Sequence, residues 1–150
     1  MMKNFLLTTI SIFLLAACKE DEQHPSINYT SFLNCLNSQV WDSTTIAKQM
    51  VGSWKLYAIS CVWVAPNIDT MDVIVDLHSS GTYTVWYHSV IHSTGKWSIG
   101  NKNTYDSTNL ELYTIPHEGY ISGKIFLCPD QVLFYESGYD LCDKAYDRIK

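Results

Sequence analysis

The chain has 150 residues, of which 10 are basic and 15 acidic, and its formal net charge at pH 7 is −5. An acidic chain is repelled by nucleic-acid phosphates and by anionic headgroups, which excludes nucleic acid as an expected partner. The length suits one folded domain behind a leader segment.

The first residues have the pattern of a secretory signal peptide. Lys3 supplies the positive region, Phe5 to Leu15 the apolar region, and Ala16-Ala17 the small residues that precede cleavage. The apolar run is shorter than the ~20 residues that a helix crossing a bilayer requires. We expect residues 1–17 to be removed, which takes away one lysine and leaves 133 residues with a net charge of −6.

A cysteine follows this leader directly. The stretch Leu15-Ala16-Ala17-Cys18 resembles the lipobox of bacterial lipoproteins, which implies that Cys18 carries acyl chains and anchors the protein to a membrane. The charged run at 19–22 is similar to a signal that sends lipoproteins to the cell surface. The resemblance therefore implies an outer-membrane, lipid-anchored and surface-exposed protein, with the periplasmic leaflet as the alternative. Residues 18–30 are expected to form the lipidated cysteine and a flexible acidic tether.

Four cysteines remain once Cys18 is lipidated: Cys35, Cys61, Cys128 and Cys142. A secreted protein permits disulfides, and four cysteines allow three connectivities. Free thiols and a zinc site are the alternatives, but the chain has no Cys-x-x-Cys pair of the kind that zinc sites use. Two disulfides are the favoured interpretation.

The folded domain is expected over residues 31–150. Asp42-Ser43 can cap a short helix that carries Ile46 and Met50 and ends at Gly52. From Ser53 onward apolar residues alternate with polar ones, which is the pattern of half-buried strands. Strands are expected at about 53–64, 72–78, 82–87, 95–99, 109–114, 120–127, 132–136 and 144–149. Eight such strands without a long helix between them predict an antiparallel all-β barrel or sandwich.

The residues at 51–56, Val-Gly-Ser-Trp-Lys-Leu, resemble the G-x-W strand that opens lipocalin-like barrels. The stretches 80–83, 95–99 and 146–149 are similar to those of bacterial lipocalin-like lipoproteins in the same order. This resemblance implies an all-β, small eight-stranded antiparallel up-and-down barrel (lipocalin-like, calycin) preceded by a short N-terminal helix. It also implies that Trp54 closes the barrel floor and that Arg148 packs across it. The short strands imply a smaller cavity than in a typical lipocalin.

The cysteines can be placed on the barrel that this resemblance implies. Successive strands alternate in direction, so two cysteines fall near each end. The pairs implied are Cys35–Cys128 and Cys61–Cys142. Direct pairing of Cys61 with Cys142 would set Leu56 opposite Asp147 and turn that aspartate inward, which indicates a shifted register.

The inward-facing positions of this barrel are rich in large apolar and aromatic residues. The candidates for a ligand pocket are Trp54, Leu56, Val73, Val75, Leu77, Tyr83, Val85, Tyr87 and Trp97. Such a wall lines either an apolar pocket or a filled core, and the small barrel favours the filled core.

The sequence contains no motif of a catalytic, cofactor or metal site. His88 and His92 have the spacing of a helical metal pair, but their segment reads as a strand end and turn. The aspartates late in the chain lack the spacing of a calcium-binding loop; they are Asp140, Asp143 and Asp147. Asp72 and Asp76 are interpreted as solvent-facing carboxylates. We expect no enzyme, no cofactor and no metal.

Two functions fit these observations. One is a non-enzymatic anchored protein that binds a small apolar ligand in the barrel. The other is an interaction module with a filled core, whose outer aromatic residues Tyr57, Trp63 and Trp86 dock on an envelope protein or inhibit a secreted enzyme. An enzyme ranks third, and a histidine and carboxylate in contact at the barrel rim would favour it.

Overall fold

The computed structural model describes residues 25–38, 41–61, 72–101, 109–136 and 141–149. The predicted signal peptide, Cys18 and the first part of the tether lie outside the described residues. The helices are α1 (Tyr29–Ser38) and α2 (Ser43–Met50), and a 3₁₀ turn spans Gly119–Ile121. The strands are β1 (Gly52–Cys61), β2 (Val73–Leu77), β3 (Thr82–Tyr87), β4 (Val90–Asn101), β5 (Leu110–Ile115), β6 (Gly123–Leu127), β7 (Gln131–Tyr135) and β8 (Cys142–Ile149).

The eight strands form a closed antiparallel barrel. Each strand pairs with the next one in sequence, and β8 pairs with β1. This is the up-and-down barrel that the sequence predicts. We call the end where β1 begins the base end, and the end where β1 finishes at Cys61 the mouth end.

Helix α2 closes the base end, and its position follows from its sequence. Asp42 caps it by accepting a hydrogen bond of 2.9 Å from the backbone N–H of Thr45. Ile46 and Met50 lie one turn apart on one face, and both are fully buried in the barrel core. The predicted helix is confirmed.

Helix α1 covers the outside of the barrel. Its Phe32 packs with outward-facing residues of the sheet, among them Ala58, Phe126 and Ala145, in a second hydrophobic cluster. The sequence predicted one short helix and a tether up to residue 30, whereas α1 begins at Tyr29 and Ile27 is already buried. Residues that were assigned to the tether therefore belong to the folded body.

The structure contains two disulfides, and both have the predicted pairing. Cys35–Cys128 joins α1 to the end of β6 at the base end. Cys61–Cys142 joins the first and last strands at the mouth end, where the two cysteines are direct partners in the ladder. The first disulfide attaches α1 to the barrel, and the second links the first strand of the barrel to the last.

A β-bulge sets the register between β1 and β8. The pairing shifts between Leu56 and Ala58, so that Leu56 lies opposite Tyr146 and Lys55 opposite Asp147. Direct pairing of the two cysteines is therefore compatible with an exposed Asp147 and a buried Tyr146. The sequence indicated a shifted register, and the bulge supplies the shift because Tyr57 is the extra residue.

Two strands begin three or more residues away from their predicted starts. Strand β4 begins at Val90 rather than near residue 95, because His88 and Ser89 make a two-residue turn with φ values of 49° and 61°. Residues at 119–121 form a 3₁₀ turn, so β6 begins at Gly123 and not at residue 120.

Candidate functional site

The predicted pocket residues form the packed core of the barrel. Trp54, Leu56, Val73, Val75, Leu77, Tyr83, Val85 and Trp97 are all buried, and Tyr87 is partly buried against the same cluster. Residues from both ends pack with them: Ile46 and Met50 of α2 at the base end, and Ile121 at the mouth end. The residues predicted to line a pocket therefore pack against one another as the core of the barrel.

Trp54 and Arg148 meet at the base end as the resemblance implies. The guanidinium carbon of Arg148 lies 4.1 Å from the centre of the Trp54 ring. The guanidinium also donates hydrogen bonds to the carbonyls of Pro129, Val51 and Gln49. A planar cation with several donors can join three chain segments in this way, which closes the floor around the tryptophan.

The mouth end is covered by a segment that we call the strap, residues 116–122. Its Ile121 is fully buried in the barrel core. Hydroxyls on the barrel wall hold its backbone, because Tyr146 donates to the carbonyl of Tyr120 at 2.5 Å and Tyr83 donates to that of Pro116 at 3.1 Å. Side chains of the barrel interior therefore hold the strap in place through hydrogen bonds.

Glu118 is the buried carboxylate of the strap, with 7% of its surface exposed. It accepts hydrogen bonds from the hydroxyl of Ser93 and from the backbone N–H of Tyr120 at 3.1 Å. Its own backbone N–H donates to the hydroxyl of Thr114 at 2.7 Å. The bonds from Ser93 and Tyr120 satisfy the buried carboxylate oxygens, and the bond from Tyr120 also caps the 3₁₀ turn.

A second buried carboxylate, Glu136, lies beside the strap. It accepts hydrogen bonds from Ser122 at 2.6 Å and from the ammonium of Lys144 at 2.5 Å. Lys144 and Glu136 have 11% and 10% of their side chains exposed, so this is a largely buried ion pair. Strand alternation places Lys144 on the same face as the core residue Tyr146, toward the interior.

The two carboxylates and their partners make the mouth end of the interior polar. We call this set the mouth-end polar cluster: Glu118, Glu136, Lys144, Ser93, Ser122 and the hydroxyls of Tyr83 and Tyr146. Burial raises the pKa of Tyr146 well above its ordinary value, and Tyr120, Glu118 and Glu136 raise it further. The pKa of Tyr83 is raised by burial and by Glu118. These phenols stay protonated and act as hydrogen-bond donors.

Clefts lined by described residues lie outside the core. Three are at the base end, with volumes of about 460, 610 and 490 Å³. The first lies between α2 and β4 and is lined by Ala47, Lys48, Val51 and Trp97, so Trp97 is the one pocket candidate that these clefts include. A smaller crevice of about 260 Å³ opens between β5 and the strap and reaches Ser122.

The remaining polar candidates are distributed over the surface. Nδ1 of His88 lies 2.9 Å from Oδ2 of Asp72, which is the contact of histidine and carboxylate that would favour an enzyme. About half of each side chain is exposed, and neither residue lines one of the clefts described above, so the pair is a surface contact outside a pocket. His92 lies instead against the ring of Tyr120, so the two histidines do not share a site. Asp76 lies on the outer face of β2, as expected, where it is partly buried and accepts hydrogen bonds from Ser53 and Trp86.

The late aspartates do not form one cluster either. Asp143 is buried, where it accepts hydrogen bonds from the backbone N–H of Glu136 and the hydroxyl of Tyr29. Asp147 is exposed beside Gln131, and Asp140 lies outside the described residues. In the described ranges no group of three or more histidine, cysteine or acidic residues could hold a metal ion.

Sequence reasoning missed the mouth-end polar cluster. One signal was available: once Arg148 was placed inward, alternation also placed Tyr146 and Lys144 inward. Alternation along the predicted strand 132–136 also placed Glu136 on the face of Val132 and Phe134. For Glu118 there was no local signal of burial, because it stands among turn residues.

Scans against protein-family models, curated proteins and solved structures found no match to this chain. Within the described part of the chain, none of the helices has the length and apolar character needed to span a bilayer.

Proposed function

We propose that this chain is a lipid-anchored, lipocalin-like protein of the bacterial cell envelope that acts through its outer surface, without catalysis. The lipobox-like stretch ending at Cys18 supports the anchor, and the two disulfides suit an oxidising compartment. Display on the cell surface follows from the charged residues after Cys18.

One observation carries the choice of the outer surface: buried side chains from the base end, the wall and the mouth end of the barrel form one hydrophobic cluster. The aromatic and aliphatic residues predicted to line a pocket pack with Met50 at one end and Ile121 at the other. The polar groups that hold the strap are hydrogen-bonded to it or to one another; the hydroxyl of Tyr146, for example, donates to the carbonyl of Tyr120. A barrel filled and closed in this way supports a scaffold more than a carrier.

A small apolar ligand in the barrel is the second candidate, and the apolar wall around Val75 and Val85 favours it. Entry would require the strap to lift. An apolar molecule would then pass Glu118, Glu136 and Lys144, which would lose their hydrogen bonds without compensation. This cost makes carriage the weaker proposal.

The base end is the part of the outer surface that best suits a protein partner. It carries the three larger clefts, and two of them mix apolar side chains such as Val51 with the cation of Lys48 and with hydroxyls, among them that of Thr44 in the first and that of Thr45 in the second. The aromatic residues first considered for docking are less available. Tyr57 is partly buried, Trp86 is hydrogen-bonded to Asp76, and Trp63 lies outside the described residues.

Photo-crosslinking in intact cells tests this proposal. A crosslinking amino acid replaces Lys48 beside the base clefts, and a matched control replaces Lys96, which is exposed on β4. We expect one dominant adduct from position 48, a weaker one from position 96, and loss of the adduct when Thr44→Lys fills the cleft. Absence of a dominant adduct at position 48, or its persistence in Thr44→Lys, would overturn the proposed docking face.

A further inference from the structure

We propose that the mouth end of the barrel rests on the lipid surface that holds Cys18, with an apolar rim formed by Val90, Ile91, Ile115 and Leu141 in contact with lipid. This inference depends on the proposed lipid anchor and adds the orientation of the domain. Three observations carry it: where the chain enters the fold, which end exposes apolar side chains, and where the carboxylates lie.

The chain enters the folded domain at the mouth end. The hydroxyl of Tyr29, at the start of α1, donates to Asp143 Oδ2 at 2.7 Å. Asp143 lies opposite Ser60, one residue before the end of β1. The other end of α1 is bonded to Cys128 at the base end. Helix α1 therefore starts toward the mouth end and runs toward the base end.

The link between anchor and domain is short. Cys18 precedes Pro25, the first described residue, by seven positions, which span at most about 25 Å when fully extended. Strand β1 has 10 residues and runs for roughly 33 Å. An anchor at Cys18 therefore favours orientations in which the mouth end is the end closer to the bilayer.

The mouth end also exposes large apolar side chains. Val90 and Ile91 follow the turn between β3 and β4, Ile115 ends β5 and Leu141 precedes β8, and all four positions are at this end by topology. Their exposed fractions are 67%, 54%, 75% and 50%. At the base end Ile149 is 42% exposed. Contact with lipid would remove this rim from water.

The distribution of exposed carboxylates favours the same orientation. Among the described residues near the mouth end, Glu118, Glu136 and Asp143 are buried, and the exposed carboxylate of Asp72 lies beside His88. Near the base end Asp42, Asp130 and Asp147 are exposed, while Glu111 is buried and Asp76 is partly buried. An anionic lipid surface would repel the base end more than the mouth end, in spite of the net acidity of the chain.

Fluorescence quenching by brominated lipid tests the orientation. The full-length lipidated protein is reconstituted in phosphatidylethanolamine and phosphatidylglycerol vesicles with dibrominated acyl chains. Tryptophan is added at the rim in Ile91→Trp and Ile115→Trp, and at the matched exposed isoleucine of the base end in Ile149→Trp. Near-ultraviolet circular dichroism checks that each variant is folded.

We expect the signal of the added tryptophan to be quenched at least twofold more in the two rim variants than in Ile149→Trp. Equal quenching in the three variants, or stronger quenching in Ile149→Trp, would overturn the orientation while the anchor stands. Flotation of the wild-type protein with the vesicles is measured separately. Failure to float would overturn the lipid anchor and, with it, this orientation.

Discussion

Arg148 joins three parts of the base end through one planar cation. It lies over Trp54 and donates to carbonyls that precede β1 and follow β6. We predict that Arg148→Met lowers the free energy of unfolding by about 3 kcal/mol, because three carbonyls lose a charged donor. Urea unfolding followed by circular dichroism measures the change.

Arg148→Lys is the matched control for charge. A lysine keeps the cation but has no fork of donors, so this variant should recover only part of the loss. Full recovery in Arg148→Lys would mean that charge alone closes the floor, and an unchanged Arg148→Met would contradict the role of the residue.

The Glu136–Lys144 pair is the second residue-scale test. Removing one partner leaves a buried charge, so we predict that Lys144→Met costs about 3 to 5 kcal/mol of stability. The double variant Glu136→Leu/Lys144→Met should be closer to wild type than Lys144→Met alone, because it buries no isolated charge. Chemical unfolding of the three proteins checks this, and equal losses in the single and double variants would count against a buried pair.

The sequence predicted the contact between Trp54 and Arg148, but it did not predict the position of the bulge between β1 and β8. Trp54 and Arg148 came from a short motif whose order along the chain resembles a known family. The bulge at Tyr57 had no local signature, although it decides that Tyr146 and not Asp147 faces the core. Side-chain direction follows from strand alternation, whereas register depends on partners that are distant in sequence.

At the scale of elements, the strap depends on a close approach between strands. A Cβ at Gly95 would overlap the carbonyl oxygen of Ile115 and lie 2.8 Å from Tyr83 Cε1 and 2.9 Å from Pro116 Cδ. We predict that Gly95→Ala displaces the start of the strap and costs about 1 to 3 kcal/mol. Hydrogen exchange of residues 116–122 and urea unfolding report the two effects.

Gly119→Ala is the control within the strap itself. A Cβ at this position meets nothing within 4 Å, so stability should stay within about 0.5 kcal/mol of wild type. If both variants were equally destabilised, backbone freedom rather than close packing would be the property that these glycines supply.

The elements themselves were largely predictable. All eight strands were expected near their observed positions, since alternation of apolar and polar residues is strong in half-buried strands. The strap was not foreseen, because its Pro116 and Gly119 resemble an ordinary turn. Its function as a cover rests on Ile121 reaching the core, which only the closed barrel makes possible.

At the scale of the whole molecule, the pKa values of several tyrosines are raised by the same cause. Burial is the main cause that raises the pKa of Tyr29, Tyr57, Tyr83, Tyr120 and Tyr146, and that of Tyr29 rises to about 12. A raised folded-state pKa favours the protonated phenol in the native state. This stabilisation is complete below pH 10, where unfolded tyrosines begin to ionise, and is lost as pH rises toward 12.

We therefore predict that the free energy of unfolding falls steeply above about pH 10. Tyrosinate absorbance should show that part of the phenols ionise only when the protein unfolds. Ionisation of all ten tyrosines near pH 10 without loss of the fold would contradict the burial of these hydroxyls.

The filled and strapped barrel is the central claim about the whole molecule, and a ligand titration tests it most directly. Native mass spectrometry of the protein with fatty acids, together with the fluorescence of a hydrophobic dye, would detect occupancy of the interior. We predict no bound species and no change in dye fluorescence. A one-to-one complex that Val75→Trp abolishes in a folded protein would contradict the claim and establish the barrel as a carrier.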